Sequence, residues 1–295
     1  MAYTFHGGTH PDDKKAATNK KAIEPMKAPE QVVLPVSMHI GAPAKPVVQK
    51  GDHVYMGQLI AEASGNVSAN VHATVSGTVA AVEPRPHPNG TQVLAVVIDN
   101  DFKDEPDPSL HPLSMEAMTP EQMTEVVKEA GIVGHGGATF PTHVKIQSAI
   151  GKVDTLIING AECEPYITSD HRILLEQTQD VIDGIKILIK ILGVQNGKLA
   201  IEENKADVFP VVEKLLPQDG SIQLCRLKTK YPQGAEKQLI YAITHREVPS
   251  GKLPADAGCA VFNVDTAAAI ACKFKTGMNV IRRILTVSGS ALASP

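Results

Sequence analysis

The sequence predicts an α/β protein preceded by a β-rich amino-terminal module. Three observations lead there. From residue 119 onward, helical and strand patterns alternate regularly, which argues for a largely parallel sheet covered by helices. Residues 31–100 instead show short runs of alternating apolar residues divided by glycines, the period of half-buried strands. Between the two, residues 101–118 hold Pro106, Pro108 and Pro112 among acidic residues, a linker pattern. A chain of 295 residues can bury a core of two-domain size. With 43% hydrophobic and 20% charged residues it is globular rather than disordered.

Residues 1–30 carry Pro, Lys and Asp without periodicity and read as an extended arm packed on the domains. Strands are expected at 31–35, 46–49, 58–61, 67–73, 78–82 and 93–98. Gly51 and Gly57 mark turns within this module. The phrase running from Lys50-Gly-Asp-His-Val to Val71-His-Ala-Thr-Val resembles a lipoyl- or biotinyl-type carrier sandwich. Carriers present a modified lysine on a hairpin, but there is no lysine between Lys50 and Lys103, and Ala63-Ser-Gly-Asn66 occupies the hairpin. The module is therefore expected to be structural or docking in role.

The α/β part is expected to span 119–295. Thr119, with Gln122 three residues on, fits a capped helix start, and that helix should end at Gly131. A short helix from Pro141 follows, then a strand at 155–158 and a long amphipathic helix at 170–192. Further strands are expected at 198–202, 222–227, 258–263 and 284–287. Helices are expected at 205–216 (disturbed by Pro210), 235–244 and 266–274.

Two stretches of this part hold the candidate chemistry. In Gly131-Ile-Val-Gly-His-Gly-Gly-Ala-Thr-Phe-Pro, the glycines remove side chains where a phosphate would approach backbone N–H groups, and a helix start follows. Lys145 lies one turn into that helix. The pattern is neither the Rossmann fingerprint nor a Walker A loop, and an ordinary helix entry is the competing reading. In Val153-Asp-Thr-Leu-Ile-Ile-Asn-Gly-Ala-Glu-Cys-Glu-Pro, a buried strand delivers Asn159, Glu162 and Glu164 to its carboxyl end, where open α/β sheets place ligands. A solvated acidic turn is the alternative for the two glutamates. A core aromatic is the alternative for Phe140.

Taken in tandem, these stretches resemble the flavin-binding core of the NADH-oxidising flavoprotein subunit of respiratory complex I and of the RnfC subunits of Rnf electron-transport complexes. The likeness to RnfC runs from Phe5-His-Gly-Gly-Thr-His-Pro11 through His39-Ile-Gly-Ala-Pro-Ala-Lys-Pro46 to Thr286-Val-Ser-Gly-Ser290. It implies a Rossmann-like α/β flavin-binding domain. By the same resemblance Gly134, Gly136, Gly137, Lys145, Asn159 and Glu162 contact FMN, and Phe140 and Glu164 receive NADH. Tyr231-Pro-Gln-Gly-Ala-Glu is similar to a loop that covers the flavin through Tyr231 and Gly234, and Gly234 opens a helix. Phe262-Asn-Val-Asp-Thr resembles an element in which Asn263 and Thr266 hold the flavin phosphate, with Asp265 suited to an N-cap. The chain departs from the complex I pattern at His135, Thr139, Tyr166 and Ala235.

The resemblance implies a subunit that takes hydride from NADH onto FMN and passes single electrons to iron–sulfur centres, in an ion-translocating NAD:ferredoxin oxidoreductase. Its partners would be the other Rnf subunits at the cell membrane and, through them, ferredoxin. A cobalamin reductase of bacterial microcompartments is the second reading. A non-catalytic scaffold related to sodium-pumping quinone reductase subunits is the third. The family continues into β-grasp-like and ferredoxin-like 4Fe-4S domains, so the chain ending at Pro295 is expected to be a piece of a longer protein.

Other classes are disfavoured. The net charge of −4 without a basic run argues against nucleic acid. Cys163, Cys225, Cys259 and Cys272 form no CxxC pair, so no metal site is expected here and unpaired thiols are the plain reading. His135, His143 and His171 lack metal-ligand spacing and are expected to hydrogen-bond or face solvent. The apolar run at 181–194 is short and interrupted by Asp183, Lys186 and Lys190, and residues 1–21 make no signal peptide. A cytoplasmic position, peripheral on the membrane through partner subunits, is expected.

Overall fold

The structure, a computed structural model, describes residues 2–292. It separates into two compact units whose boundaries differ from the expected ones. One comprises residues 25–147 and 272–283; the other comprises 2–24, 148–271 and 284–292. The amino-terminal arm thus belongs to the unit with the parallel sheet. Part of the expected α/β segment belongs to the unit with the sandwich.

The sandwich unit holds strands β1 (Gln31–Pro35), β2 (Lys45–Pro46), β3 (His53–Val54), β4 (Leu59–Glu62), β5 (Val71–His72), β6 (Gly77–Pro86) and β7 (Gln92–Asn100). They form two antiparallel sheets, β1-β7-β6-β3 and β2-β4-β5. Leu34, Val54, Ile60, Val79, Val96 and Ile98 fill the core, as the alternation requires. The strand expected at 67–73 shrinks to β5. Residues ahead of it are held by side chains instead: the Ala69 N–H donates to His39 Nε2 at 3.0 Å and Ser68 Oγ to the Ala42 carbonyl at 2.8 Å. The lysine-free hairpin is pinned in the same manner, with Ser64 Oγ donating to the Pro43 carbonyl at 2.5 Å.

Helix α1 (Pro120–Glu129) starts in the expected reciprocal capping box of Thr119 and Gln122. Helix α2 (Thr142–Ala149) follows the glycine loop.

The second unit is built on β8 (Thr155–Gly160), β9 (Gly197–Glu202), β10 (Ile222–Leu227) and β11 (Cys259–Asn263). All neighbours are parallel, in the order β10-β9-β8-β11. The chain steps outward from β8 to β10, then returns to place β11 on the other side of β8. The connections therefore diverge between β8 and β11, the topological switch point at which such sheets bind ligands. Helices α3 (Ser169–Glu176), α4 (Thr178–Leu192), α5 (Val208–Leu215), α6 (Glu236–Thr244) and α7 (Val264–Thr276) complete the alternation. The last turn of α7 is counted with the sandwich unit.

Three further expectations differ from the structure. The single helix at 170–192 is two helices, because Gln177 leaves helical geometry at φ −128°. After the break both helices pack on α5, with α3 also touching β8 and α4 running along β8, β9 and β10. The helix at 205–216 begins only at Val208, after a 3-10 turn at Glu203–Lys205. Pro210 then falls in the first turn, where its missing N–H costs no helical bond. Residues 284–287 form no strand. They are mostly apolar and largely β-branched, but they join no ladder, and Leu285 and Val287 are exposed.

Candidate functional site

At the switch point, Asn159 is the last residue but one of β8 and Asn263 ends β11, and the two are register partners. Their amides are committed in different directions. Asn159 Nδ2 donates to the Gly234 carbonyl at 2.9 Å, and its Oδ1 accepts the Ala161 N–H at 3.1 Å. Asn263 Nδ2 donates to Asp170 Oδ2 at 2.7 Å, and its Oδ1 accepts the Asp265 N–H at 2.9 Å. Asn263, not Asp265, therefore caps α7, which starts two residues earlier than expected. Thr266 is buried in the first turn of that helix.

Glu162 is not a solvated turn residue. Its carboxylate accepts the Asp170 N–H at 2.6 Å and the His171 N–H at 3.3 Å, satisfying orphan donors at the start of α3. Its backbone is left-handed at φ 47°, as is that of Tyr166 at φ 69°. Such conformations are costly for side-chain-bearing residues and cluster at functional sites. Glu164 is exposed. It hydrogen-bonds Tyr231 and raises the phenol pKa.

Gly234 packs against Ala161, Cys163 and Asn159, where a Cβ would come within 3.3 Å of Ala161. Its N–H donates to Cys163 Sγ at 3.2 Å. Gly234 thus serves the fold directly, and α6 opens two residues later, at Glu236. Beside it Gln233 is fully buried, and neither polar atom of its side chain has a protein partner. A buried amide in that state costs about 1–3 kcal/mol unless an outside group supplies the bonds.

Buried charge surrounds these loops. Lys205 is fully buried and donates to the Ala161 carbonyl at 2.5 Å and to Asn204 Oδ1 at 3.1 Å. Lys15, from the amino-terminal arm, donates to the carbonyls of Glu164, at 2.8 Å, and Ile167. Loss of water raises the Glu162 pKa, while Lys205 and Lys15 pull it down. Loss of water, then the charge of Glu162, raises Asp170 to about 8. Burial also lifts Glu202 from 4.5 to about 7 against the pull of Lys205.

Glu202 sets a pH expectation. Between pH 4.5 and about 7 the native state holds a proton that the unfolded chain lacks, so its contribution to stability falls as pH rises through that window. Glu202→Gln should flatten this slope and stabilise the protein by about 2 kcal/mol at pH 8. Urea unfolding at pH 5 and pH 8 reads both. An unchanged slope in the variant would contradict the assignment.

In the sandwich unit, the glycine loop is closed by a bridge between Val133 and Pro141 and by the Gly134 N–H donating to the Phe140 carbonyl at 2.8 Å. Gly134 and Gly137 avoid the left-handed region. A Cβ on Gly137 would meet nothing within 4 Å, and one on Gly134 nothing nearer than 3.6 Å. The fold itself does not require glycine at those two positions, and the open space suits an external group. Thr139, by contrast, is left-handed at φ 52°, so the departure from the complex I pattern at this position loads strain into the loop. Phe140 is 38% exposed and is no core aromatic. The His135 carbonyl accepts from Arg283, Lys145 is partly buried on α2, and His171 hydrogen-bonds Asp207 at 2.8 Å.

Sequence patterns alone do not point to Lys15, Asp170, Glu202, Lys205 and Gln233. Asp170 and Gln233 lie beside motifs that do carry a signal. The others stand among ordinary solvated charges in the sequence and carry no local signal.

Parallel sheet, switch point and glycine loop define the class: an α/β nucleotide-cofactor domain accompanied by a barrel-type sandwich. Residues 127–272 match the Nuo51 FMN-binding domain, and residues 3–103 match the RnfC barrel sandwich hybrid domain. The chain belongs to the RnfC family. It is 49% identical, over 99% of its length, to the corresponding component of the Na(+)-translocating ferredoxin:NAD(+) oxidoreductase complex of Acetobacterium woodii, covering 66% of that protein. It is 47% identical to the corresponding component of the proton-translocating ferredoxin:NAD(+) oxidoreductase complex of Clostridium ljungdahlii, over all of this chain and 65% of that one. It therefore spans slightly less than two thirds of either relative. A solved NAD+-reducing [NiFe]-hydrogenase matches 56% of this chain and 31% of its own at 24% identity and a TM-score of 0.49. Among the described residues, no helix is long and apolar enough to cross a membrane.

Proposed function

We propose that this chain binds FMN noncovalently and forms the NADH-facing part of an ion-translocating ferredoxin:NAD(+) oxidoreductase complex, held at the cytoplasmic face of the membrane by partner subunits. The observation that carries the reading is the pairing of Asn159 with Asn263 at the switch point, inside the segment matched by the FMN-binding domain. The orphaned amide of Gln233 and the left-handed Glu162 and Tyr166 fit an external cofactor there. The names of the relatives give no support to a cobalamin reductase or a scaffold.

What the flavin supplies when bound is the hydride acceptor and the conversion to one-electron transfer, toward iron–sulfur centres in the remaining length of the family. The residues supply position and charge. Asn263 and Thr266 are proposed to hold the phosphate, while Asn159, Glu162, Tyr231 and Gly234 shape the loops around the ring. Gly134, Gly136, Gly137 and Lys145 are proposed as further flavin contacts on their sequence pattern. Phe140 offers an apolar face to a nicotinamide or adenine ring, and Glu164 a ribose acceptor.

Calorimetric titration with FMN should saturate at one site. Lys145→Ala should weaken it by about 1.5–3 kcal/mol, the range for a charge-assisted hydrogen bond. No saturable binding to folded protein would sink the reading. A carboxylate at the ribose also repels a 2′-phosphate, so NADH should bleach the flavin faster than NADPH in anaerobic mixing. Equal rates, or an unchanged preference in Glu164→Gln, would remove Glu164 from that role.

A further inference from the structure

Asp170 has no part in the residue pattern that led to the flavin reading, yet it connects both sides of the switch point. Its backbone N–H is held by Glu162, from the loop after β8, at 2.6 Å. Its carboxylate takes Nδ2 of Asn263, at the end of β11, at 2.7 Å. The other polar atom of Asn263, Oδ1, is engaged by the Asp265 N–H at the start of α7. With both ends of the amide fixed, its orientation is determined. Nδ2 carries two protons, and Asp170 takes one of them. The second is the proton a phosphate oxygen would accept.

Among the described residues Asp170 is the acceptor recorded for Nδ2, so without it the amide would be held through Oδ1 alone. A carboxylate desolvated beside Glu162 is costly to keep, as the raised Asp170 pKa records. An arrangement serving only to start α3 would not need it, because Glu162 already caps that helix.

We propose that Asp170 is a positioning residue for the flavin phosphate, acting through the side-chain amide of Asn263. The proposal rests on the flavin reading and deepens it.

The test is FMN affinity, read by quenching of flavin fluorescence on the full chain, with foldedness followed by far-UV circular dichroism. Asn263→Ala and Asp170→Ala should each weaken binding about tenfold. The double variant should bind no more weakly than Asn263→Ala alone, because Asp170 then has nothing to orient. Asp170→Asn keeps an oxygen that can accept from Asn263 and should bind within about threefold of the wild type. If Asp170→Ala does not fold, Asp170→Ser, whose hydroxyl is too short to reach, takes its place in the cycle.

Undiminished binding by Asp170→Ala overturns the inference. So does a further loss in the double variant, since a general loosening of the fold would weaken binding in either background. Undiminished binding by Asn263→Ala overturns it as well. Failure of the wild type to bind FMN would instead strike the flavin reading itself.

Discussion

Lys15→Met should destabilise the protein by about 3 kcal/mol at pH 8, the scale for removing one partner from a buried charged arrangement. Lys15 is 4% exposed and its ammonium bridges the carbonyls of Glu164 and Ile167. Methionine keeps the length of the stem and the apolar packing, but it leaves both carbonyls without a donor. It also deprives the Glu162 carboxylate of one of its two nearby cations. The Glu162 pKa, already raised, would move higher, so its charged form would cost more. The loss should therefore be larger at pH 8 than at pH 5, where Glu162 can take up a proton. Urea unfolding at the two pH values checks magnitude and sign. A loss below about 1 kcal/mol at pH 8 would show that water replaces the ammonium without penalty.

Gly184→Ala should cost about 3 kcal/mol, although alanine ordinarily stabilises a helix interior by about 1 kcal/mol relative to glycine. The glycine lies within α4, where a Cβ would stand 1.9 Å from the Ala267 carbonyl oxygen and 2.4 Å from its carbon. Both atoms are backbone, so no side chain can swing aside and α4 must separate from α7. Asn263 and Thr266 lie at the start of α7, so FMN affinity should fall with stability. Gly137→Ala is the matched control. Its Cβ meets nothing within 4 Å, so thermal stability should stay within about 0.5 kcal/mol of the parent while FMN binding weakens. A melting temperature in Gly184→Ala equal to or above that of the parent would refute the close approach of the two helices.

The elements that could be read from sequence are those whose signals are local. Strands β1 and β10 fall where expected because each is a short apolar-rich run, and α1 starts where Thr119 and Gln122 can cap each other. What could not be read depends on partners distant in the chain. Residues 284–287 have the β-branched, apolar composition of a strand, but a strand also needs a neighbour. The break at Gln177 redirects the chain between two helices that both pack on α5, and no residue at the break announces it. Among the candidate site residues, Asn159, Glu162 and Asn263 were legible as polar groups at strand ends. That they hydrogen-bond within the protein, and that Asp170 joins two of them, follows from a strand order which sequence does not state. Lys14, Lys15, Lys20 and Lys21 look alike in sequence; only Lys15 is buried.

The amino-terminal arm has a consequence for how the chain is made. Tyr3 bridges Leu227, Thr9 bridges Tyr231, and Lys230 donates to the Phe5 carbonyl across 225 residues of sequence. On a ribosome adding about 5–20 residues per second, these arm residues wait roughly 10–45 s for those partners. The sandwich strands, all complete by Asn100, can pair during that interval. Ordering of the arm therefore has to wait until residue 231 has been made, and Lys15 cannot reach Glu164 before Glu164 itself has emerged.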